Sequence, residues 1–229
     1  MKTDLIEVFK EDAKIEKAKE CLQQKEPYKM ILPLFSLHYL PSIAYISELV
    51  KHEVILIETR ENYIKQTYRN RCKILSSNGT LPLIIPIQHG ENQLISEIKT
   101  QVETDWKRHH WQSIISAYNN SPYFLYYKDK FEAIYFDKNI HTLFEFNLKL
   151  LELSLKLLKL NIEIRYTDVF VKDYQLDFRN TFSAKKMDID TTDFKPYYQV
   201  FDCKFGFQPD LSIMDLLFSQ GPESRHYLI

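Results

Sequence analysis

The sequence predicts an α/β fold: a single domain with a mixed sheet that includes a β-hairpin, flanked by helices. Three observations lead to this prediction. The segment "EVILIE" at residues 53–58 is too apolar for a strand exposed on either face. Asn78-Gly79 separates two apolar runs and favours the tight turn of a hairpin. The run "LFEFNLKLLELSLKLLKL" at residues 143–160 repeats leucine every three or four residues, which is typical of a helix.

The remaining elements follow from the same patterns. Residues 4–24 favour a helix with a ragged apolar face, so we interpret residues 1–29 as a helical appendage to a domain at residues 30–229. The polar, irregular residues 168–195 favour a mobile or ligand-binding segment. The other predicted elements are strands at 30–37, 94–103 and 162–168, a hairpin at 71–87, and helices at 42–51, 106–120 and from Ser212 to Gly221-Pro222.

Composition excludes several classes of protein. Only four glycines are present, and neither the dinucleotide fingerprint GxGxxG nor the P-loop motif occurs. Thirty basic residues balance thirty-one acidic ones, which speaks against an extended basic face for nucleic acid. The three cysteines are far apart, so neither a disulfide framework nor a zinc site is predicted, and we interpret Cys72 as a buried structural thiol.

Location and bound groups are also constrained by the sequence. The charged N-terminus does not resemble a signal peptide, and no apolar run approaches the roughly 20 residues of a membrane helix. We therefore expect a cytoplasmic protein without a membrane span. No metal or other cofactor is predicted. The sequence does not fix the oligomeric state and is compatible with a homodimer.

The most polar stretch, "YIKQTYRNRCKIL" at residues 63–75, leads into the apolar hairpin. Alternate residues of a strand share a face, so Arg69, Arg71 and Lys73 are predicted to project together. Such a clamp suits a phosphate, pyrophosphate or carboxylate. Two alternatives stay open, namely a solvated strand face and structural ion pairs of the arginines with Glu58 or Glu61.

Histidines at two places in the chain, His109-His110 and His38, are candidates for a general acid or base. His109 and His110 are adjacent on a predicted helix and diverge by about 100°, so they cannot bind one metal together. His38 follows the first predicted strand, where open α/β sheets collect ligands. The alternative for His110 is a core histidine, and for His38 a loop histidine without a catalytic role.

Four blocks of the chain resemble the WbqC-like family of bacterial proteins. They are "YLPSIAYISEL", "ENYIKQTYRNRCKIL" with "NGTLPLIIPI", "HHWQSIISAYNNSPYFLYYKD" and "FGFQPDLSIMDLLFSQGPES". Their order and spacing match, and the resemblance extends from about Met30 to the C-terminus. One departure is Ser36-Leu37, which stands where many members have Gln-Pro.

The resemblance implies an association with genes for O-antigen and other surface-polysaccharide assembly, and a role in sugar or amino-acid transfer. It also implies a set of shared polar residues. By matching position these are Tyr63, Lys65, Gln66, Arg69, Asn70, Arg71, His110, Trp111, Tyr118, Pro122 and Tyr123.

Two hypotheses of function follow. The first is a transferase that moves an acyl, aminoacyl or sugar-related group onto a nucleotide- or lipid-linked sugar. Arg69 and Arg71 would then hold an anionic donor, such as a nucleotide-sugar, and His110 or His38 would act as base. Trp111 and Tyr123 would stack on a ring, with the other shared residues binding substrate. The alternative is a non-catalytic protein that binds an anion or a partner in the same pathway.

Overall fold

The computed structural model describes residues 31–88, 93–101, 104–182 and 194–228. The predicted helix at 4–24 lies outside these residues, so the appendage at 1–29 and the domain boundary stay predictions. All elements described below belong to one compact unit, residues 32–229.

The first sheet is parallel and has the strand order β1-β2-β7. Its strands are β1 (Leu34–Phe35), β2 (Val54–Ile57) and β7 (Glu163–Tyr166). Leu34 also forms a parallel bridge with Asp177, so residues 176–178 extend the sheet beyond β1. The sheet therefore presents four chain segments whose carboxyl ends point the same way.

The antiparallel strands form two separate pairs. The predicted hairpin is present as β3 (Arg71–Ser76) and β4 (Gly79–Ile84), while β5 (Ile87–Gln88) pairs with β6 (Lys99–Thr100). Gly79 closes the hairpin turn with a φ of +100°, which a glycine adopts without steric cost. Residues 94–103 were predicted as a strand, but residues 95–97 form a 3₁₀ turn before β6.

Helices cover the sheets and confirm the α/β class. They are α1 (Ile43–Leu49), α2 (Trp106–Tyr118), α3 (Phe124–Tyr135), α4 (Leu143–Leu157), α5 (Asp202–Phe205) and α6 (Ile213–Gln220). A 3₁₀ segment, Gly221–Tyr227, follows α6. Helix α4 begins with a capping box, in which Thr142 accepts from the Glu145 amide and the Glu145 carboxylate accepts from the Thr142 amide.

The sequence pattern did not predict α3, because its apolar residues do not all face the core. Leu125 and Tyr126 are 66% and 72% exposed, whereas Phe124 and Phe131 are buried. Their rings pack edge-to-face on Phe218 of α6, at centroid distances of 5.1 and 5.5 Å. Helix α6 is buried over nearly its whole length, so it forms the centre of the helical layer. Among the described residues, no helix combines the length and hydrophobicity needed to cross a bilayer.

Candidate functional site

Polar side chains converge where the four parallel segments end. Ser36 follows β1, Glu58 follows β2, Thr167 follows β7, and Arg179 follows residues 176–178. Strand ends at one edge of a parallel sheet lie side by side, which is why ligands of open α/β proteins collect there. We call these residues and their charged partners the strand-end network.

Arg179 and Glu58 form one half of the strand-end network. The Arg179 Nη1 donates to Glu58 Oε2 at 3.0 Å, and both side chains are almost fully buried, with 4% and 0% exposure. Glu58 Oε1 accepts from the Thr167 hydroxyl at 2.6 Å and from the Arg60 amide at 2.7 Å. Each oxygen of this buried carboxylate therefore has a donor, as burial of a charge requires.

The same arginine also holds a more exposed carboxylate. Arg179 donates from Nε and Nη2 to Asp177, with the shortest contact 2.7 Å, and the Arg179 amide adds a hydrogen bond of 2.9 Å. Burial alone would raise the pKa of Asp177, but these hydrogen bonds and the guanidinium charge bring that pKa below its usual value. Asp177 is therefore an ionised acceptor at neutral pH.

Arg69 and Glu61 form the other half of the strand-end network. The guanidinium donates to both carboxylate oxygens of Glu61, from Nε at 2.8 Å and from Nη2 at 2.6 Å. Nη2 also donates to the Ser36 hydroxyl at 2.6 Å. This two-point geometry is the strong form of an arginine–carboxylate pair. Ser36 stands at the departure from the family pattern, so that position contacts the buried arginine directly.

A pocket of about 360 Å³ opens onto the strand-end network. Its polar lining includes Arg60, Glu61, Asn62, Lys172, Asp177 and Arg179. Phe170 adds an apolar wall; it is 51% exposed, and its ring centroid lies 4.9 Å from the Arg179 guanidinium carbon. The volume lies at the lower end of the range of small-molecule sites. We call this cavity the strand-end pocket.

Two cations at the strand-end pocket are not neutralised by the described part of the chain. Arg60 and Lys172 are exposed, and neither forms an ion pair with a described residue. The carboxylates of Glu61 and Asp177 are instead occupied by Arg69 and Arg179. The pocket therefore offers these two cations to an anionic group, and Asp177 is its partly exposed carboxylate.

The predicted clamp does not form as expected. Arg69 precedes β3 and is 1% exposed, so it does not project with Arg71 and Lys73. The prediction failed because a carboxylate, Glu61, lies within reach and compensates the buried charge. This is one of the two alternatives left open by the sequence. Arg71 and Lys73 do share the outer face of β3, opposite the buried Cys72.

The rest of the predicted binding stretch is spread over several environments. Asn70 is buried and donates from Nδ2 to the Ile85 carbonyl at 2.9 Å, which ties the start of β3 to the end of β4. Tyr63 is half-buried. Burial raises the pKa of its hydroxyl, and the charge of Arg71 offsets only part of this rise. Lys65 and Gln66 are exposed, and Gln66 has a φ of +60°. None of these residues lines the strand-end pocket.

His38 is buried in the core and is almost inaccessible to solvent. It is 2% exposed and packs between Tyr45 and Tyr68, at centroid distances of 4.6 and 5.8 Å. Burial and then the Arg69 charge lower the pKa of His38 well below its ordinary value. The imidazole is therefore neutral at pH 7 and is not part of the pocket lining.

His110 lies in a separate cluster of rings on α2. Its Nδ1 contacts the Tyr39 hydroxyl at 3.0 Å, and that hydroxyl also contacts the Tyr135 hydroxyl. Trp106 packs edge-to-face on the imidazole at 5.2 Å. Burial lowers the pKa of His110 to about 4, so this histidine is neutral at pH 7. We call Tyr39, Trp106, His110, Tyr135 and Phe146 the ring cluster.

The other predicted aromatic residues are also core residues. Trp111 is 4% exposed and donates from Nε1 to Glu132 Oε1 at 3.0 Å. Tyr118 is 1% exposed and is adjacent to the buried Asp215. Neither ring lines the strand-end pocket, so neither can stack on a ligand bound there.

Tyr123 fixes the contact between two of the sequence blocks. Its amide donates to the Phe218 carbonyl at 2.9 Å, and its ring covers Gly221. A Cβ at Gly221 would lie 2.4 Å from that ring, and the backbone there has a φ of +54°. Only glycine fits this position without strain, so the "SQGPES" block is explained by packing against Tyr123.

Glu58, Asp177 and Arg179 were not predicted as site residues. Arg179 belongs to the short segment "DFRNTF", which carries no motif. The usable signal was position in the chain, since Glu58 is the last residue of the apolar segment "EVILIE" and Thr167 directly follows "IEIRY". The pairing of Asp177 with Leu34, which brings Arg179 to this edge, has no local signature.

Comparison with known proteins places the chain in one family. The model of the WbqC-like protein family matches residues 37–179, and the chain belongs to this family. The matched range contains both buried arginines of the strand-end network. A relative from Mycobacterium tuberculosis, described as "Uncharacterized protein Rv1507c", is 25% identical over 83% of this chain and 94% of its own length. No solved structure matches.

Proposed function

We propose that this protein is a cytoplasmic group transferase of bacterial surface-polysaccharide biosynthesis. It transfers an acyl, aminoacyl or sugar-related group onto a nucleotide- or lipid-linked sugar. The observation that carries the proposal is the polar strand-end pocket, at the edge of a parallel sheet where two buried arginine–carboxylate pairs hold its walls. Membership of the WbqC-like family supports the pathway.

In this proposal, each kind of side chain that lines the pocket has a role. Arg60 and Lys172 bind the phosphate or carboxylate of the substrate, because they are exposed cations without a described ion-pair partner. Asp177 accepts a hydrogen bond from the attacking hydroxyl or amine of the acceptor. The acceptor atom then bonds to the transferred group, and the leaving group departs with the electron pair of the broken bond.

Proton removal in this proposal falls to a carboxylate. His38 and His110 are both buried outside the pocket lining, so neither contacts a ligand bound there. Asp177 is the partly exposed carboxylate of the pocket, so a bound acceptor can reach it. Its lowered pKa makes it a weak base, so it takes the proton only as the pKa of the attacking atom falls during attack.

Ligand binding is tested by thermal shift with nucleotide-sugars, acyl and aminoacyl phosphates, and inorganic phosphate. A ligand at 100 times its Kd adds about 2.7 kcal/mol to the free energy of unfolding. We expect one activated donor to stabilise the wild type and to lose this effect in the double variant Arg60→Ala/Lys172→Ala. The matched control is Lys130→Ala/Lys149→Ala, which removes two exposed lysines of α3 and α4.

The thermal shifts distinguish a ligand site at the strand-end pocket from a surface that binds no ligand. Equal stabilisation of the wild type and the Arg60/Lys172 variant would place the ligand elsewhere and refute the assigned pocket. Absence of any shift with the whole panel would refute the proposed donor classes.

The second candidate function is a non-catalytic protein that binds an anion or a partner at the same pocket. The observation that favours it is the burial of both histidines that the sequence offered as bases. Turnover distinguishes the two functions. A transferase consumes the stabilising donor when an acceptor sugar is added, and Asp177→Asn retains binding but loses turnover. A binding protein leaves the donor intact.

A further inference from the structure

A second pocket of about 650 Å³ lies between β6, the start of α2 and the turn that follows α3. Its lining includes Lys99, Lys107, Lys138 and His141, together with the rings of Trp106 and Phe136. It shares no lining residue with the strand-end pocket. Its volume lies well inside the usual range of ligand sites.

Two carboxylates, Asp105 and Asp137, also line this pocket. Asp105 approaches Arg108, with a closest N–O distance of 3.9 Å. Asp137 Oδ1 accepts from the Asn139 amide at 2.9 Å and from Asn139 Nδ2 at 3.0 Å. These two are the acidic members of the lining. Neither carboxylate forms an ion pair with a lysine of this pocket within the described residues, although the Asp137 charge acts on Lys107 and raises its pKa.

The three lysines lack ion-pair partners within the described part of the chain. Lys99 and Lys138 are exposed, whereas Lys107 is half-buried. The Lys107 Nζ lies 5.9 Å from the Trp106 ring centroid and 5.7 Å from that of Phe146, which is within the range of a cation–π contact. Burial lowers the pKa of Lys107, and the Asp137 charge offsets part of that effect.

One wall of the pocket is an exposed ring. Phe136 directly follows α3 and is 45% exposed, while Ile140, which also lines the pocket, is 7% exposed. A large apolar side chain at a helix end next to three lysines is the complement of a ligand that has both a planar ring and an anionic group. Nucleoside phosphates have this combination.

We propose that this second pocket binds a nucleoside diphosphate, with Lys99, Lys107 and Lys138 contacting the phosphates and Phe136 stacking on the base. The proposal does not depend on the proposed transferase function, because the two pockets use different residues. If both are correct, the protein has separate sites for a nucleotide and for a transferred group.

Calorimetric titration of the full chain with UDP, in the presence of a chelator, tests the nucleotide site. Uridine and inorganic pyrophosphate serve as partial ligands. We expect UDP to bind the wild type, and Lys99→Ala/Lys138→Ala to weaken this binding about tenfold or more, because two phosphate contacts are lost.

The matched control is Lys130→Ala/Lys149→Ala, which removes two exposed lysines outside both pockets and should leave UDP binding unchanged. Arg60→Ala/Lys172→Ala is measured beside it and reports UDP binding in the strand-end pocket.

Phe136→Ala tests the ring wall. We expect it to weaken UDP binding about tenfold and pyrophosphate binding hardly at all, since only UDP has a base that stacks on the ring. Because Phe136 is at the surface, this variant should fold, and its thermal unfolding without ligand provides the check.

Four outcomes would overturn the nucleotide proposal. The first is that UDP does not bind the wild type, and the second is that it binds the Lys99/Lys138 variant as tightly. The third is that UDP affinity falls in the Arg60/Lys172 variant instead, which would place UDP in the strand-end pocket and support the proposed function alone. The fourth is that pyrophosphate binds as tightly as UDP, which would remove the base from the interaction.

Discussion

The strand-end network and the ring cluster both contain groups that exchange protons, but they are built in opposite ways. In the strand-end network, charged side chains compensate each other, and Asp177 keeps 27% of its side chain exposed. In the ring cluster, neutral hydroxyl and imidazole groups satisfy each other, and His110 is 8% exposed. The comparison shows that a titratable side chain becomes a site candidate through access to solvent, not through its residue type.

Position in the fold explains the difference. The strand-end network forms where chain segments leave a sheet, so its side chains extend beyond the core. The ring cluster forms on the inner face of α2, where His110 shares a side with Trp106 and Ile114. A histidine on such a face is buried by the helices that cover it.

The largest effect is expected from breaking a buried ion pair of the strand-end network. Arg69→Met leaves the Glu61 carboxylate buried without its partner, which should lower the free energy of unfolding by about 3–5 kcal/mol. Urea denaturation measures this loss. The double variant Arg69→Met/Glu61→Leu should recover much of it, because no unpaired charge remains buried.

The control for this buried ion pair is an ion pair at the surface. Arg165 donates to Glu163 at 2.7 Å, but both side chains are more than half exposed, so Arg165→Met should change stability little. An Arg69→Met variant as stable as Arg165→Met would show that the strand-end network is hydrated rather than buried.

A smaller effect is expected from the pH dependence of the ring cluster. The unfolded chain protonates His110 below about pH 6.5, whereas the folded protein resists protonation until about pH 4. The stability contributed by neutral His110 is therefore present above pH 6.5 and is lost as the pH falls. Relative to His110→Gln, the wild type should lose about 2 kcal/mol between pH 7.5 and pH 5.

Comparison with a variant is needed because other buried groups titrate in the same range. Burial raises the pKa of Asp210 and of Asp215 to about 6, so their ionisation opposes folding as the pH rises. His109→Gln is the matched control, because His109 is the exposed neighbour of His110. If the free energies of unfolding of the His110→Gln and His109→Gln variants depend on pH in the same way, His110 is not buried from solvent.

The smallest effect is expected from removing one hydroxyl of the ring cluster. Tyr135→Phe deletes the group that contacts the Tyr39 hydroxyl, and should lower the free energy of unfolding by about 1 kcal/mol. Thermal or urea denaturation measures it beside Tyr127→Phe, a half-buried tyrosine of the same helix. A loss no larger than that of Tyr127→Phe would mean that the two hydroxyl groups do not stabilise each other.

Local patterns predicted much of the fold. The apolar run at β2, the turn at Gly79 and the leucine spacing of α4 each correspond to an observed element, because period and turn chemistry act over a few residues. Helix α3 was missed because exposed Leu125 and Tyr126 interrupt its apolar periodicity. The candidate site was predicted less well, because a strand register was assumed for Arg69 although that residue lies before β3.

By itself, the sequence determined the α/β class, the main helices and strands and, through four blocks, the WbqC-like family. These properties depend on residue periodicity and on residue identity at fixed spacing. The tertiary structure decided which charges meet. Arg179 reaches Glu58 across 121 positions of the chain, and Arg69 contacts Ser36 across 33. Such contacts depend on which strands become neighbours, and no local pattern records that choice.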